Sequence, residues 1–385
     1  ELGVVALLKD CIRKKDICGG CNLHVDIVKQ GLLERSPYIA SCLISMYAKC
    51  GMLSKAKKVL EELPVRNVVI WNALISGFSQ EGECDQAFSL FEVMQKEGHF
   101  PNSITFICIL MACGSTRAIR KGEEIHSEIV RRGLLQDNIA LTTALVDMYA
   151  KCGVLDKARE VLDGVPFRDV VSWNALISGY AEIQCHEAMI CFERMQMEGV
   201  FPNEVTFVCI LKACGNKIAI DDGRQIHDAV IQRGLLERNF VLGNALVDMY
   251  AKCGVLAKAR KTLEELPTRN IVSWNSLMAG YVQHGQSNEA INCFANIQQE
   301  GLSPDEVTFA CVLKACGIAR AIDRGKEIHE QIVTKGLLNK DRVIGTALVN
   351  MYAKCGALAK AKEVLEGPLA RDVDSWNALI LGYAR

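Results

Sequence analysis

Four copies of the phrase Trp-Asn-(Ala/Ser)-Leu, at Trp71, Trp173, Trp274 and Trp376, follow one another at intervals of 102, 101 and 102 residues. A chain that repeats itself at fixed spacing folds as like units stacked on like units, because every copy offers its neighbours the same faces. A second phrase, Met-Tyr-Ala-Lys-Cys-Gly, begins at Met46, Met148, Met249 and Met351 with the same intervals. A third, Ile-His, ends at His126, His227 and His329, with a degenerate Leu23-His24 one period earlier. Each period therefore holds three kinds of unit about 32–35 residues long, here called Trp-Asn, Met-Tyr and Ile-His units. Periods of about 20–50 residues mark solenoids or propellers. The length of 385 residues would suggest two or three globular domains, but a solenoid grows by stacking and needs no single large core.

Within a unit the apolar residues keep helical spacing, as in Trp173, Leu176, Ile177 and Tyr180. A Gly or a short polar break precedes a second amphipathic stretch such as Ala158, Val161 and Leu162, and turn residues such as Pro166-Phe167-Arg168-Asp169 close the unit. Each unit is thus a helical hairpin that cannot bury its own apolar face. The expected fold is all-α, an α-solenoid of about eleven stacked hairpins and a partial twelfth. The spacing places Ile-His units at 1–35, 103–137, 204–238 and 306–340, and Met-Tyr units at 36–67, 138–169, 239–270 and 341–372. Trp-Asn units fall at 68–102, 170–203, 271–305 and, partially, 373–385. The unit at 170–203 is one residue short near Ala181–Cys185, where its hairpin turn is expected. The last unit ends after its first helix with an apolar face uncovered, so the protein is expected to continue past Arg385.

Half of the residues are apolar and only 8 are proline, which argues against disorder. No apolar run reaches the roughly 18–20 residues of a membrane span, so no membrane is expected as a partner. The residues from Glu1 onward carry no signal- or transit-peptide pattern. A net charge of −1 argues against indiscriminate polyanion binding but leaves room for a local basic groove. The 18 cysteines recur by repeat position, as Cys50, Cys152, Cys253 and Cys355, as Cys11, Cys113, Cys214 and Cys316, and as Cys108, Cys209 and Cys311. That pattern reads as thiols packed in helix contacts in a reducing compartment, not as a disulfide framework.

Phrases such as Val170-Val171-Ser172-Trp173-Asn174-Ala175-Leu176-Ile177, Leu211-Lys212-Ala213-Cys214-Gly215 and Ala245-Leu246-Val247-Asp248-Met249-Tyr250-Ala251-Lys252-Cys253-Gly254 cover the chain in alternation. In this the sequence resembles pentatricopeptide repeat proteins of the plant PLS class. The Trp-Asn, Ile-His and Met-Tyr units correspond to that class's P, L and S repeats. The resemblance implies a right-handed superhelix whose first helices line a groove for single-stranded RNA, one base per repeat. The fifth and last residues of a repeat read the base, and the second is an aliphatic wedge between bases.

On that basis Asn72 with Asn102, and Asn174 with Asn203, favour a pyrimidine, cytidine over uridine. Asn275 with Asp305 favours uridine, and Thr142 with Asp169 favours guanosine. A carboxylate only accepts hydrogen bonds, which suits the N–H donors on the Watson–Crick edges of U and G. Ala40 with Asn67, Gly243 with Asn270, and Gly345 with Asp372 lack a polar fifth residue and are expected to discriminate weakly. Val69, Val171 and Val272 supply the wedges; Asp374 departs from that pattern. The L repeats carry Val5, Ile107, Val208 and Ala310 at the fifth position and act as spacers or partner surfaces. Their last residues, Arg35, Asp137, Arg238 and Lys340, are mostly basic and are candidates for phosphate contact. The resulting site is N-Y-N-G-Y-N-N-U-N-N. Lys49, Lys151, Lys252 and Lys354 form a candidate phosphate-binding stripe. The residues alone also admit a plainer reading, in which the Asn after each Trp pins a helix start. The Trp residues themselves are expected in the core.

Many PLS proteins end in a zinc-dependent, cytidine-deaminase-like (DYW-type) domain, which needs a His-x-Glu followed by Pro-Cys-x-x-Cys. His126-Ser127-Glu128 matches the first half, but no Cys-x-x-Cys follows it. Cys18-Gly19-Gly20-Cys21 precedes it, with His24 nearby, and reads as an adventitious loop pair with no fourth ligand. No catalytic residue, metal ligand or cofactor is therefore assigned. The resemblance implies the specificity tract of an organellar C-to-U editing factor in chloroplast or mitochondrion. Its implied partners are a DYW-type deaminase in cis or in trans and multiple organellar RNA editing factor (MORF/RIP) proteins docking on the L repeats. An RNA-stabilising or splicing factor and a protein-binding scaffold are the alternatives.

Overall fold

The computed structural model describes residues 2–135, 138–237, 239–339, 342–367 and 373–384. Among these there are 24 α-helices and no strand. The first period holds α1 (Leu2–Lys14), α2 (Ile17–Lys29), the one-turn α3 (Leu32–Arg35), α4 (Pro37–Lys49), α5 (Leu53–Glu62), α6 (Val68–Gln80) and α7 (Cys84–Lys96). The second holds α8 (Ser103–Thr116), α9 (Ile119–Arg131), α10 (Ile139–Lys151), α11 (Leu155–Asp163), α12 (Val170–Ile183) and α13 (Cys185–Met197). The third holds α14 (Glu204–Lys217), α15 (Ile220–Gln232), α16 (Phe240–Lys252), α17 (Leu256–Glu265), α18 (Ile271–Gln283) and α19 (Ser287–Gln299). The fourth holds α20 (Glu306–Ala319), α21 (Ile322–Thr334), α22 (Arg342–Lys354), α23 (Leu358–Glu366) and α24 (Val373–Tyr383).

The chain forms two compact units, one of residues 1–180 with 191–201 and the other of 181–190 with 202–385. In the first, α4 packs on α6, α6 on α8 and α8 on α10; in the second, α14, α16, α18, α20, α22 and α24 pack in succession. Second helices lie against the first helices of their own hairpins, as α7 against α6 and α19 against α18. Each unit is an α-solenoid of stacked hairpins.

The core follows the sequence period. Trp71, Leu74, Ile75 and Phe78 of α6 are buried, as are Leu43, Ile44, Met46 and Tyr47 of α4 and Phe106, Ile109, Leu110 and Cys113 of α8. Each such aliphatic or aromatic side chain contributes about 1.5–3 kcal/mol by leaving water. Trp376 departs from expectation: it is 52% exposed, whereas Trp71, Trp173 and Trp274 are buried. The buried indoles are covered by the end of their own hairpin. His99 lies beside Trp71, the Arg194 guanidinium lies over Trp173, and Trp274 Nε1 donates to Glu300 at 2.8 Å. No second helix follows α24 among the described residues, so Trp376, Ile380, Leu381 and Tyr383 stay exposed.

The short unit lost its residue at the hairpin turn. Three residues separate α6 from α7 and α18 from α19, whereas Gln184 alone separates α12 from α13 and α12 runs one residue longer. No disulfide joins the cysteines among the described residues, and Cys113, Cys214 and Cys316 are fully buried. Cys18 and Cys21 correct the expectation of a loop pair. Both lie on α2, where Cys21 Sγ accepts from Lys55 Nζ at 3.2 Å, and no cluster of three metal-ligating side chains occurs among the described residues.

The Ile-His phrase has a packing role. Nδ1 of His24, His126, His227 and His329 lies 2.9, 2.8, 2.9 and 2.9 Å from the hydroxyls of Tyr47, Tyr149, Tyr250 and Tyr352. Burial lowers the pKa of every one of these histidines, so each is held neutral. Stability from a depressed histidine is fully present above its unfolded value of about 6.5 and is lost as pH falls from there through the folded value. The urea midpoint should therefore drop between about pH 7 and pH 5. A His126→Gln/His227→Gln/His329→Gln variant should show a smaller drop over that window.

A second constraint is the close crossing of neighbouring first helices. A Cβ on Gly280 of α18 would stand 2.6 Å from Ala251 Cβ and 3.1 Å from its Cα on α16. Gly280→Ala should lower stability by about 1–3 kcal/mol in urea unfolding. Adding Ala251→Gly should recover part of the loss.

Candidate nucleic-acid interface

The helix starts are built by caps, and the caps build the candidate site. Asn67, Asn102, Asn203, Asn270 and Asp305 each precede a first helix and accept a hydrogen bond from its first-turn backbone. Asp169 does the same through Ser172 N at 2.8 Å. All six are residues that the repeat spacing places last in their units. For all but Asn67, which is followed by Ile70, the signal for this second role was an Asn or Asp three residues before a Thr or Ser, the mark of a capping box.

In the first compact unit Asn72 stands fifth in α6, 5% exposed. Its Nδ2 donates to Asn102 Oδ1 at 3.0 Å, and Thr105 Oγ1 donates to Asn72 Oδ1 at 2.6 Å. Thr105 in turn accepts from the Asn102 backbone N–H at 3.1 Å, and of the two acceptors near its hydroxyl Asn72 Oδ1 is closer than Asn102 Oδ1, which lies at 3.1 Å. The second compact unit repeats the clamp: Asn275 Nδ2 donates to Asp305 Oδ1 at 3.0 Å, and the Thr308 hydroxyl, 2.8 Å from Asn275 Oδ1 and 2.7 Å from Asp305 Oδ1, shares its one proton between them. The structure thus joins Asn72 to Asn102 and Asn275 to Asp305. It also overturns the reading of these asparagines as helix-start pins, since the caps are the residues ahead of the helix.

The clamp decides which atoms remain. Asn102 Oδ1 is occupied and Asn102 Nδ2 is left without a partner among the described residues; at Asp305 the free atom is Oδ2. One site therefore presents an amide donor and the other a carboxylate acceptor. At Asp305 burial raises the pKa, but bonds from the Thr308 hydroxyl and backbone and from Asn275 outweigh it and hold the carboxyl below its ordinary value. Asn174 is buried in one compact unit, and Asn203 caps α14 in the other, accepting from Thr206 N at 3.1 Å.

The Met-Tyr units shift by one residue against the spacing. Their first helices begin at Pro37, Ile139, Phe240 and Arg342, so the fifth helical residues are Ser41, Thr143, Asn244 and Thr346. Ala40, Thr142, Gly243 and Gly345 are fourth and face the hairpin interior. All four are buried, the Thr142 hydroxyl bonds back to Asn138 O at 3.3 Å, and a Cβ on Gly243 would meet Leu266 at 2.6 Å. Thr142 and Asp169 accordingly share no hydrogen bond. Ser375, third in α24, donates to Thr346 Oγ1 at 3.2 Å, as Thr105 does to Asn72. Thr143 Oγ1 and Asn244 Oδ1 are buried with no partner among the described residues. Leaving such atoms unpaired costs about 1–3 kcal/mol each. The signal that would have found these residues is the shared Ala-Leu after the polar residue: Asn72-Ala73-Leu74 matches Thr143-Ala144-Leu145, Asn244-Ala245-Leu246 and Thr346-Ala347-Leu348. Asp372, Asp137, Arg238 and Lys340 lie outside the described residues.

Val69, Val171 and Val272 are about half exposed at the second helical position. Ile104, Val205 and Val307 of the Ile-His units match them in place and exposure, which the sequence reading did not include. Val69, Asn72, Asn102, Ile104, Ser41 and Lys49 line one cleft of about 330 Å³. The lysine stripe divides. Lys151 and Lys252 are ion-paired with Asp147 and Asp248 one turn back, each at 2.7 Å, whereas Ser45 and Asn350 leave Lys49 and Lys354 with no acid among the described residues.

A model of the PPR repeat family matches residues 66–115, 168–216 and 269–317, and a model of the PPR repeat matches 38–68, 142–165 and 244–271. A mitochondrial pentatricopeptide repeat-containing protein of Arabidopsis thaliana is 30% identical over 382 residues, which is 99% of this chain and 68% of that protein. The chain belongs to the pentatricopeptide repeat family. A chloroplastic family member from the same plant is 36% identical over 378 residues, 98% of this chain and 46% of its own length. Another is 34% identical over 382 residues, 99% of this chain and 61% of its own length. The chain thus spans about half the length of these relatives. Among solved structures, the pentatricopeptide repeat protein PPR10 in complex with an 18-nt psaJ RNA element superposes with a TM-score of 0.71 at 19% identity. The match covers 91% of this chain and 53% of PPR10, and at that identity it speaks for the fold.

Thr308→Val should cost about 1–3 kcal/mol in urea unfolding, because Asn275 Oδ1 then stays buried and unpaired. The Asp305 contribution is fully present above the unfolded Asp value of about 3.9 and is lost as pH falls through the lower folded value. Asp305→Asn should flatten that part of the acid limb of the urea midpoint.

Proposed function

We propose that this chain is a sequence-selective single-stranded RNA-binding tract, one base per P or S repeat, belonging to a plant organellar C-to-U editing factor. The observation that carries this reading is the clamp at Asn72–Asn102–Thr105 and Asn275–Asp305–Thr308. It fixes two side chains without conformational freedom and leaves a donor free in one copy and an acceptor in the other. Cytosine presents an unprotonated N3 and uracil an N3–H, so a free amide suits the first and a free carboxylate the second. The exposed valines and isoleucines at the second helical position are shaped to lie between unstacked bases. The editing role rests on the threefold alternation of repeat kinds and on the class resemblance. A DYW-type deaminase in cis or in trans would supply the chemistry, and MORF/RIP proteins would dock on the L repeats. The relatives named as chloroplastic and mitochondrial support an organellar location.

With the fifth residues moved to Thr143, Asn244 and Thr346, the proposed site becomes N-Y-N-G-Y-N-Y-U-N-G. Here Asn244 with Asn270 takes a pyrimidine and Thr346 with Asp372 takes guanosine. Fluorescence anisotropy with a short unstructured RNA of that sequence tests the reading. Changing the first G to A should weaken binding by on the order of 1–3 kcal/mol, about 5- to 150-fold, and Asp169→Asn should restore it. Asn244→Thr with Asn270→Asp should convert the seventh base from pyrimidine to guanosine preference, whereas Gly243→Thr with Asn270→Asp should not. Equal binding to every RNA would favour the protein-binding scaffold instead.

A further inference from the structure

Cations in a groove for RNA act only where they are free to exchange counterions for phosphate. In the second compact unit, α20, α22 and α24 enclose a cleft of about 660 Å³ lined by Lys314, Arg342 and Lys354, with Thr346 and Asn350 between them. None of the three cations has an acid within ion-pair distance among the described residues, and Asp374, exposed at the rim, is the one acidic lining residue. The chain's own preceding repeats provide the contrast. Lys212 occupies the position of Lys314 but is ion-paired with Glu182. Lys252 occupies that of Lys354 but is ion-paired with Asp248, and Phe240 stands in place of Arg342. One period earlier still, the three positions hold Met111, Ile139 and Lys151, the last paired with Asp147. The same structural place is therefore neutralised or apolar in the second and third periods, holds Lys9, Pro37 and Lys49 in the first, and in the fourth carries three cations with no paired acid among the described residues.

Resting on the RNA-binding reading above, we propose that Lys314, Arg342 and Lys354 form a phosphodiester anchor. This cleft holds the strand by its backbone and supplies about three phosphates' worth of the salt-dependent affinity, while Lys151 and Lys252 supply little. The counterions released are those condensed on the RNA, and a lysine already bonded to a carboxylate must break that ion pair before it can neutralise a phosphate and release one. The anchor sits beside Thr346, the fifth residue of its helix, so backbone and base contacts would meet at one nucleotide.

The experiment is the salt dependence of anisotropy with the full chain and a fluorescein-labelled 11-nt RNA that carries the proposed site. Each phosphate neutralised on a single strand adds about 0.7 to the slope of log affinity against log salt. Lys314→Gln/Arg342→Gln/Lys354→Gln should therefore flatten the slope by about 2 and weaken binding at low salt. It should leave the G-over-A preference at Asp169 unchanged. Lys151→Gln/Lys252→Gln should leave the slope as it is. Asp248→Asn, which installs the amide that the chain carries at Asn350, should free Lys252 and steepen the slope by about 0.7. All substituted side chains are at least partly solvent-accessible, and far-UV circular dichroism checks that the helices persist. An unchanged slope in the triple variant, or an equal loss in the Lys151/Lys252 variant, overturns the anchor while base discrimination keeps the RNA reading intact. Absence of RNA affinity in the unaltered chain overturns both.

Discussion

The side chain ahead of each first helix holds this structure's candidate site together. Asn102 and Asp305 each use one oxygen three ways: to cap the next helix, to meet the threonine of that helix and to receive the asparagine of the preceding one. A cap is worth about 1 kcal/mol to its helix. Here the same oxygen also sets the rotation of neighbouring first helices against each other, because the bonds run from α6 to α8 and from α18 to α20. Stacking and site geometry are therefore one constraint. A substitution at a cap changes both the stability of a junction and the hydrogen-bonding character of the cap atom left without a partner among the described residues.

The close approach of first helices makes such short bonds reachable. Small residues meet at the crossings, as Gly280 on Ala251, and bring the backbones near enough for short polar side chains to span them. Second helices do a different job. They help seal the indoles of their own hairpins, and the glutamates just past their ends pair with arginines of the loop that precedes the hairpin, as Arg168 with Glu198 at 2.9 Å and Arg269 with Glu300 at 2.8 Å. The His–Tyr contacts join the Ile-His second helices to the Met-Tyr first helices. The groove side, the hairpin interior and the outer side are thus held by different chemistry.

The unequal lysines show how an array of near-identical units acquires a local character. Lys49, Lys151, Lys252 and Lys354 are equivalent in sequence position, yet two are cancelled by an aspartate one turn back. The cost of such a pair on an exposed helix is small, of the order of a few tenths of a kcal/mol either way. A single Asp-to-Asn difference between repeats is therefore enough to decide whether the lysine one turn later is paired or not.

Taken by itself, the sequence determined the period, the hairpin composition, the buried face of each helix and the place of the missing residue at Gln184. All of these follow from apolar spacing and turn residues, which are local. It also named Asn72, Asn102, Asn275 and Asp305, whose helices begin where the spacing says. Only the tertiary structure decided the Met-Tyr register. Adjacent helical residues point about 100° apart, so a helix that starts one residue later turns Thr142 and Gly243 inward and puts Thr143 and Asn244 at the place that Asn72 and Asn275 hold in their helices. Where a helix starts depends on the cap and on the neighbour it packs against, and a count of residues between repeated phrases carries neither. For the same reason the sequence could not separate Lys212 from Lys314: the partner that cancels Lys212 is Glu182, on a helix 30 residues away.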